Sequence, residues 1–217
     1  MHAALGDPVR LAIIDDLAAT DRSPKELSER HHVPTNLLAH HLDALEDVGL
    51  IVRCPSSADK RRKYVRSSPE QLLSIGFDVL RPAGRMLFVC TRNSARSQLA
   101  AALWTARTGE PASSAGTHPA PKVHRGAIAA ARRAGLDLHA AVPRLVDHAV
   151  PGAQVVTVCD RAHEELTPEP DWWHWSIADP VETGTAAAFD AAVADIDARI
   201  HSIIARIHST IEETDRP

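Results

Sequence analysis

The chain contains little cysteine, few aromatic residues and no long apolar run. Three Cys, four Trp, three Phe and one Tyr occur among 217 residues. No apolar segment approaches the ~18 residues that a membrane-spanning helix needs. The opening MHAALGDPVR also lacks the basic-then-apolar layout of a secretory signal. We therefore expect a soluble, cytoplasmic protein with no membrane partner.

The small number of cysteines excludes a disulfide framework. Cys54, Cys90 and Cys159 lie far apart and are odd in number, which favours free thiols in a reducing compartment. A lone thiol such as Cys54 is more often a packed residue than a ligand. The histidine pairs at 31–32 and 40–41 could bind a metal, but polar surface or base contacts are the simpler interpretation. We predict no metal site.

A strong excess of charge is also missing. The chain has 24 Lys and Arg against 28 Asp and Glu, a formal net charge of −4, which argues against a generally basic nucleic-acid coat. Hydrophobic residues make up 44% and charged residues 24%, as in an ordinary globular protein. This length suits two compact domains.

A change of pattern divides the chain. Up to about residue 80 the apolar spacing is helical, whereas MLFVC at 86–90 and AQVVTVC at 153–159 are short β-branched runs. The segment RPAG at 81–84 interrupts a helix because of its proline and glycine. We predict a mainly α domain at 1–80, a linker at 81–84 and an α/β domain at 85–217.

The first domain is predicted to consist of short helices and a hairpin. The segment SPKE at 23–26 has the spacing of a capping box, with proline at the first helical position. Thr35 is expected to cap the next helix, whose leucines in NLLAHHLDALED face inward. Two short helices joined by a tight turn form a helix-turn-helix pattern. The strand-like segment 50–53 and the basic strand-like segment 60–66 predict a hairpin wing, so we predict that residues 1–80 form a mainly α winged helix-turn-helix domain.

The order of these elements resembles the ArsR family of winged-helix repressors over about residues 3–80, through GDPVRLAIIDDL, NLLAHHLDALEDVGLI and the wing. The resemblance implies a homodimer, formed through this domain, that binds double-stranded operator DNA with its third helix in the major groove. The groove-facing side chains would be Thr35, Asn36, His40 and His41. The phosphate contacts would be Lys60, Arg61, Arg62, Lys63 and Arg66.

Two features limit what this resemblance implies. A charge run alone is more often a solvated hairpin than a nucleic-acid contact. In addition, the stretch SPKELSERHHV lacks the Cys-x-Cys pair of arsenic-responsive members, whose thiolates bind the soft arsenite ion. We assign no inducer site.

The run MLFVC leads directly into CTRNSARS at 90–97, and a helix-favouring stretch follows. At such a turn, five intervening residues can wrap their amides around a tetrahedral oxyanion at the positive end of the helix. Arg96 can donate two parallel hydrogen bonds to oxygens of the anion. The positive charge of Arg96 and of the helix N-terminus also favours a nucleophilic thiolate at Cys90. The predicted oxyanion-binding residues are Thr91, Arg92, Asn93, Ser94, Ala95, Arg96 and Ser97. The alternative, a buried cysteine ending a core strand, leaves the arginine and serine unexplained.

This loop resembles that of the low-molecular-weight protein tyrosine phosphatases and of the arsenate reductases built on the same fold. The resemblance covers about residues 85–212, and SAGTHPA, VVTVCD and ADPVETG follow in family order. It implies a four-stranded parallel sheet with helices on both faces and a site at the carboxyl ends of the strands. It also implies that Asp179 is the general acid and that Asn93 orders the loop. Arg92 stands where many members have glycine.

Reductase and phosphatase differ in what attacks the covalent adduct that the substrate forms with Cys90. A phosphatase uses water, whereas an arsenate reductase needs another thiol. Cys159 ends a parallel strand, so we expect it at the same sheet edge as Cys90, either as a resolving thiol or as a core residue. In thioredoxin-coupled reductases a third cysteine follows seven residues later, and here that position is Leu166.

The sequence around Cys159, VTVCDRAHEEL, and the SAGTHPA stretch resemble the actinobacterial arsenate reductases that use a small thiol such as mycothiol. We expect no bound cofactor and an external thiol donor, either mycothiol, glutathione or a thioredoxin system. We favour a small thiol that resolves the adduct directly; the alternatives are that Cys159 passes its disulfide to a carrier or that no reduction occurs. The predicted function is arsenate reduction in arsenic detoxification, fused to an ArsR-like transcriptional regulator. Two alternative functions remain. The protein could be a tyrosine phosphatase, or a regulator that senses an oxyanion such as arsenate or phosphate. The Trp-rich segment 172–175 could line a pocket for a tyrosine substrate, but tryptophan side chains more often pack in a protein core.

Overall fold

A computed structural model of the chain describes residues 2–68, 85–146 and 152–214. The predicted linker at 81–84 lies outside the described residues. The chain divides into two compact units, one of residues 1–80 and 202–217 and one of residues 81–201. None of the helices in the described ranges combines the length and the apolar character that crossing a membrane requires.

The N-terminal unit is mainly helical and carries one antiparallel hairpin. Its helices and strands are α1 (His2–Leu5), α2 (Pro8–Asp16), α3 (Pro24–His31), α4 (Thr35–Asp47), β1 (Ile51–Pro55) and β2 (Lys63–Ser67). The capping box is confirmed: the Glu26 amide donates to Ser23 Oγ at 3.3 Å, and the Ser23 amide donates to Glu26 Oε2 at 2.7 Å. The inward leucines Leu38, Leu42 and Leu45 are buried in the core of this unit.

Two local predictions in this unit are wrong. Thr35 is the first residue of α4 rather than its cap, and Pro34 precedes the helix with no side-chain cap. The wing strand begins at Lys63 instead of residue 60. Ser56 Oγ accepts from two amides of the turn, and the Arg62 amide donates to the Asp59 carbonyl at 2.8 Å. The basic residues before Lys63 therefore lie in this turn.

The second unit is the predicted α/β fold. Its strands are β3 (Met86–Cys90), β4 (Ala112–Gly116), β5 (Gln154–Thr157) and β6 (Trp173–His174). They form one parallel sheet in the order β4-β3-β5-β6. The predicted helices are α5 (Arg96–Thr108), α6 (Arg125–Arg133) and α9 (Ala186–Thr214), of which α9 belongs to this unit up to residue 201. Two short helices were not predicted, α7 (Asp160–Leu166) and α8 (Pro180–Thr183). The chain runs from β3 to β4 on one side of β3 and then to β5 on its other side. Cys90 therefore ends the strand at which the strand order reverses.

Aromatic and aliphatic side chains fill the space between the sheet and its helices. The Phe88 ring packs between Trp104 and Trp175, with centroid distances of 6.2 and 5.6 Å. Trp175 is therefore a core residue. On α9, Phe189, Ile196 and Ile200 are fully buried, as the amphipathic pattern of this helix predicts.

Candidate active site

The site begins where β3 ends in Cys90. All five residues of β3 are buried, and the chain turns through residues 91–95 before α5 begins at Arg96. Cys90 Sγ lies 3.0 Å from Ser97 Oγ, and the Asn93 amide donates to the same sulfur at 3.2 Å. Both contacts lie where a donor can stabilise a negative charge on the sulfur when Cys90 acts as a nucleophile.

A separate segment, residues 117–124, holds the loop carbonyls away from the pocket. Amides of this segment donate to the carbonyls of Cys90, Thr91, Arg92 and Ser94, at 3.2, 2.8, 2.9 and 2.8 Å. In a trans peptide the carbonyl and the following N–H point in opposite directions. Tying the carbonyls outward therefore turns the next amides toward the loop interior, as binding of an oxyanion requires. The Thr91 amide is an exception, because it donates to Cys159 Sγ at 3.2 Å.

Asn93 holds the loop together from inside. It is fully buried and has a left-handed backbone with φ of 46°. Its side-chain amide donates to Ser97 Oγ at 2.8 Å and to Ser114 Oγ at 2.9 Å. Its side-chain oxygen accepts from the Arg144 amide at 2.8 Å and from Gln98 at 3.1 Å. The asparagine thus fixes the loop to α5, to β4 and to the chain near residue 144.

Arg96 links the loop to the predicted acid. The guanidinium donates to the Ile177 carbonyl at 2.9 Å and to Asp179 Oδ2 at 2.6 Å. Asp179 Oδ1 accepts from the Val181 amide, so the carboxylate also caps the start of α8. An arginine carries five N–H donors, and these two contacts leave donors for an anion. The structure brings the predicted clamp and the predicted acid into direct contact.

Cys159 lies at the same loop. It is 1% exposed, and its Sγ accepts from the Thr91 amide at 3.2 Å and lies 3.4 Å from Thr91 Oγ1. The Ala162 amide donates to the same sulfur at 3.4 Å. Burial raises the pKa of the Cys159 thiol, and a charge on Cys90 adds to this rise, while Arg96 opposes it. A protonated second thiol therefore contacts the residue that follows Cys90.

The remaining predicted loop residues surround this centre. Ala95 is buried, Thr91 and Ser94 are half-buried, and Arg92 is exposed. The structure thus brings together the residues predicted at 90–97 with Cys159 and Asp179. In the described part of the chain, no three His, Cys, Asp or Glu side chains are arranged to hold a metal ion.

The predicted DNA-contacting residues lie in the other unit. Thr35, Asn36 and His40 are exposed on α4. The prediction for His41 is wrong: its side chain is 6% exposed, and its Nδ1 lies 3.7 Å from Asp7 Oδ1. Consecutive helical residues point about 100° apart, so of the two histidines only His40 lies on the exposed face of α4.

The wing presents most of its predicted cations to solvent. Lys60, Arg61, Arg62 and Lys63 are exposed, and Arg66 is half-buried. The guanidinium of Arg61 donates to both oxygens of Asp59, at 3.0 and 3.1 Å. This cation is already paired before any nucleic acid binds.

A buried polar cluster beside Cys159 was not predicted. It consists of Thr157, Asp160, His163 and His174, all 4% exposed or less. The only signal in the sequence is a polar Thr157 inside a short apolar strand, and spacing alone does not reveal which residues meet it.

A cysteine nucleophile at the end of a parallel strand, inside a loop of inward amides with an arginine, defines the class of cysteine-dependent enzymes that act on a bound oxyanion. The chain belongs to the low molecular weight phosphotyrosine protein phosphatase family, whose model matches residues 85–213. A helix-turn-helix domain model matches residues 5–54. The predicted fusion of these two domain types is confirmed.

Solved structures share the fold of the second unit. The tyrosine phosphatase AmsI of Erwinia amylovora is 18% identical, with a TM-score of 0.50 over 56% of this chain and 91% of its own. The YwlE arginine phosphatase of Geobacillus stearothermophilus is 23% identical, with a TM-score of 0.50 over 61% and 97%. An arsenate reductase of Archaeoglobus fulgidus is 28% identical, with a TM-score of 0.47 over 55% and 98%. No curated protein matches the chain significantly.

Proposed function

We propose that the second unit reduces arsenate to arsenite and that the first unit is an ArsR-like, DNA-binding transcriptional regulator in arsenic detoxification. The observation that carries the reductase proposal is the second thiol. Cys159 Sγ accepts a hydrogen bond from the amide of Thr91, the residue next to Cys90. Hydrolysis of a cysteinyl-phosphate needs only water, whereas reduction needs a thiol that reaches the adduct.

In the first step the Cys90 thiolate attacks the arsenic atom of bound arsenate. An As–O bond breaks, and the departing oxygen takes a proton from Asp179, which must be protonated and released from Arg96 when arsenate binds. Arg96 and the inward amides of the loop stabilise the charge that develops on the other oxygens. The product of this step is a Cys90–arsenate adduct.

In the second step the Cys159 thiolate attacks Cys90 Sγ. A Cys90–Cys159 disulfide forms and the S–As bond breaks. The bonding electron pair stays on arsenic, which is reduced from As(V) to As(III) and leaves as arsenite. The two sulfurs supply the two electrons.

An external thiol then restores the enzyme by reducing the disulfide. We propose a small thiol of the mycothiol type because the position of a third relay cysteine is occupied by Leu166, the last residue of α7. Glutathione and a thioredoxin system are the other donors that the test includes.

The test measures arsenite production from arsenate with each donor system. Cys90→Ser is expected to abolish turnover, and Cys159→Ser is expected to reduce it to near background. Cys54→Ser is the matched control because this half-buried thiol belongs to the wing, and it should keep wild-type turnover. Absence of arsenite with every donor would contradict the proposal.

A tyrosine phosphatase is the second candidate, favoured by the match of the family model to residues 85–213. Both activities share the attack by Cys90 and the acid Asp179, and they part at Cys159. Rapid hydrolysis of an aryl phosphate without added thiol, unchanged in Cys159→Ser, together with no arsenite formation, would favour the phosphatase.

For the first unit we propose a homodimer that binds operator DNA through α4 and the wing. The exposed Thr35, Asn36 and His40 would face bases, and the wing cations would face phosphates. Binding of a promoter fragment by the purified protein, measured at several salt concentrations, tests this proposal. Equal affinity for every sequence offered would contradict it.

A further inference from the structure

The cluster of Thr157, Asp160, His163 and His174 is the most deeply buried polar group beside the site. Their exposed fractions are 0%, 1%, 4% and 0%. Buried polar side chains must find partners, since an unsatisfied one is costly. Each of the four residues has at least one partner within the cluster, around the ring of His174.

Three residues of one turn contact His174. We call residues 157–163 the Cys159 turn, because they run from the end of β5 through Cys159 into α7. Thr157 Oγ1 lies 2.9 Å from His174 Nδ1, and Asp160 Oδ1 lies 3.1 Å from His174 Nε2. The ring of His163 stacks on the ring of His174 with a centroid distance of 4.0 Å.

The hydroxyl of Thr157 also joins the two histidines. His163 Nδ1 lies 2.9 Å from Thr157 Oγ1, as does His174 Nδ1. A hydroxyl has one proton to donate, so at least one of the two ring nitrogens donates to it. The hydroxyl is therefore a shared partner of both rings, and His174 Nδ1 also lies 3.2 Å from the Thr157 carbonyl.

His174 connects the Cys159 turn to the segment that carries the acid. It lies on β6 and pairs with Thr157 in the sheet. The same segment continues to Ile177 and Asp179, the two residues that accept from Arg96. One ring thus stands between the element bearing the second thiol and the element bearing the acid.

We propose that His174 is a positioning residue for Cys159. By contacting Thr157, Asp160 and His163, it holds the Cys159 turn so that the thiol stays against Thr91, within reach of Cys90. This inference rests on the proposed function, in which Cys159 attacks Cys90. Because a misplacement of about 1 Å can slow a reaction about a hundredfold, a loosened turn slows disulfide formation more than it affects Cys90 itself.

The experiment uses the full chain and an oxidant, so that it does not depend on arsenate. With diamide, the Cys90 and Cys159 thiols together lose two protons and two electrons, one S–S bond forms, and the N=N bond of diamide is reduced to a hydrazine. The rate of disulfide formation is followed by intact mass. Alkylation of Cys90 by iodoacetamide, with and without inorganic phosphate, reports on the oxyanion loop.

Thr157→Val and Thr157→Ser are a matched pair. Valine keeps the shape and loses the hydroxyl, and serine keeps the hydroxyl. We expect Thr157→Val and His174→Gln to slow disulfide formation about tenfold or more, with Thr157→Ser close to wild type. Alkylation of Cys90 and its protection by phosphate should stay at wild-type rates in all of them. His201→Gln, the same exchange at an exposed position of α9, should change neither readout.

Three results would overturn the inference. These are a wild-type rate of disulfide formation in Thr157→Val and His174→Gln, an equal loss of Cys90 alkylation in both, or no Cys90–Cys159 disulfide in the wild type. A wild type that forms the disulfide but produces no arsenite with any donor contradicts the proposed function alone. The two failures are therefore distinguishable.

Discussion

The sulfur of Cys90 receives its support from neighbours in its own loop. Ser97 Oγ and the Asn93 amide lie 3.0 and 3.2 Å from it. The amide belongs to the backbone and survives a side-chain change, whereas the hydroxyl does not. The two contributions can therefore be separated by mutation.

Ser97→Ala is expected to slow alkylation of Cys90 at pH 7 about tenfold, since a hydrogen bond to a charged group is worth about 1.5–3 kcal/mol. Iodoacetamide labelling followed by mass spectrometry measures this rate. Ser113→Ala is the control, because its hydroxyl bonds to the Met86 carbonyl outside the loop. Equal labelling rates in Ser97→Ala and wild type would show that the hydroxyl does not support the thiolate.

The buried thiol of Cys159 predicts a pH dependence for the second step. Burial raises its pKa, so the thiol is neutral at pH 7 and only its minor thiolate fraction attacks. The rate of disulfide formation in a single turnover with arsenate should rise about tenfold per pH unit and level off only above the raised pKa. A rate that is flat between pH 7 and pH 9 would contradict this assignment, and rapid quench with mass detection measures it.

At the scale of elements, the strand, the loop and the helix of the site were predictable from the sequence. The reason is that their information is local: a β-branched run ends in Cys90, and a helix-favouring stretch follows Ser97. The capping box at Ser23 is local in the same way. The role of residues 117–124 was not predictable, because backbone hydrogen bonds to the loop carbonyls leave no mark on side-chain type.

Gly116 is the element-scale position where a single methyl group would disturb the loop. A Cβ there would lie 2.8 Å from the Thr91 carbonyl and 2.9 Å from the Asn93 amide nitrogen, both of them backbone. We expect Gly116→Ala to abolish phosphate protection of Cys90 and to reduce the free energy of unfolding by about 1–3 kcal/mol. Denaturant unfolding and the alkylation assay measure the two effects.

Gly126→Ala is the matched control for this prediction. Its Cβ would overlap the ring of Phe189, between α6 and α9. We expect a similar loss of stability, about 1–3 kcal/mol, with phosphate protection of Cys90 retained. Loss of protection in both variants would mean that general destabilisation, and not the loop, explains the result.

At the scale of the whole molecule, charge is distributed unevenly. The chain has a net charge of −4, yet the wing turn and its strand present four exposed cations between residues 60 and 63. Attraction to DNA is therefore expected to depend on this local group rather than on the chain as a whole.

One of these cations, Arg61, is paired with the Asp59 carboxylate in the structure. Lys63→Ala is expected to reduce the slope of log affinity against log salt by about 0.9 per protomer, the value for one phosphate contact. Arg61→Ala is expected to reduce the slope less, because its guanidinium is already bonded to Asp59. Fluorescence anisotropy with a duplex at several salt concentrations measures both slopes, and equal changes would contradict the distinction.

The buried cluster shows what the whole fold adds to the sequence. Thr157, Asp160 and His163 follow one another along the Cys159 turn, but their common partner His174 comes from the next strand. Only the parallel pairing of β5 and β6 brings them together. The burial of His41 against Asp7 arises in the same way, from the packing of two helices, and no local pattern contains it.

The outward anchoring of the loop carbonyls has a consequence for selectivity among oxyanions. A ring of amides whose carbonyls are fastened to a second segment has its width set by that segment. Exchanges within residues 117–124 can therefore widen or narrow the ring for larger or smaller tetrahedral ions while every residue of the loop stays the same. We therefore expect that the preferred ion size can be changed without changing the reacting groups.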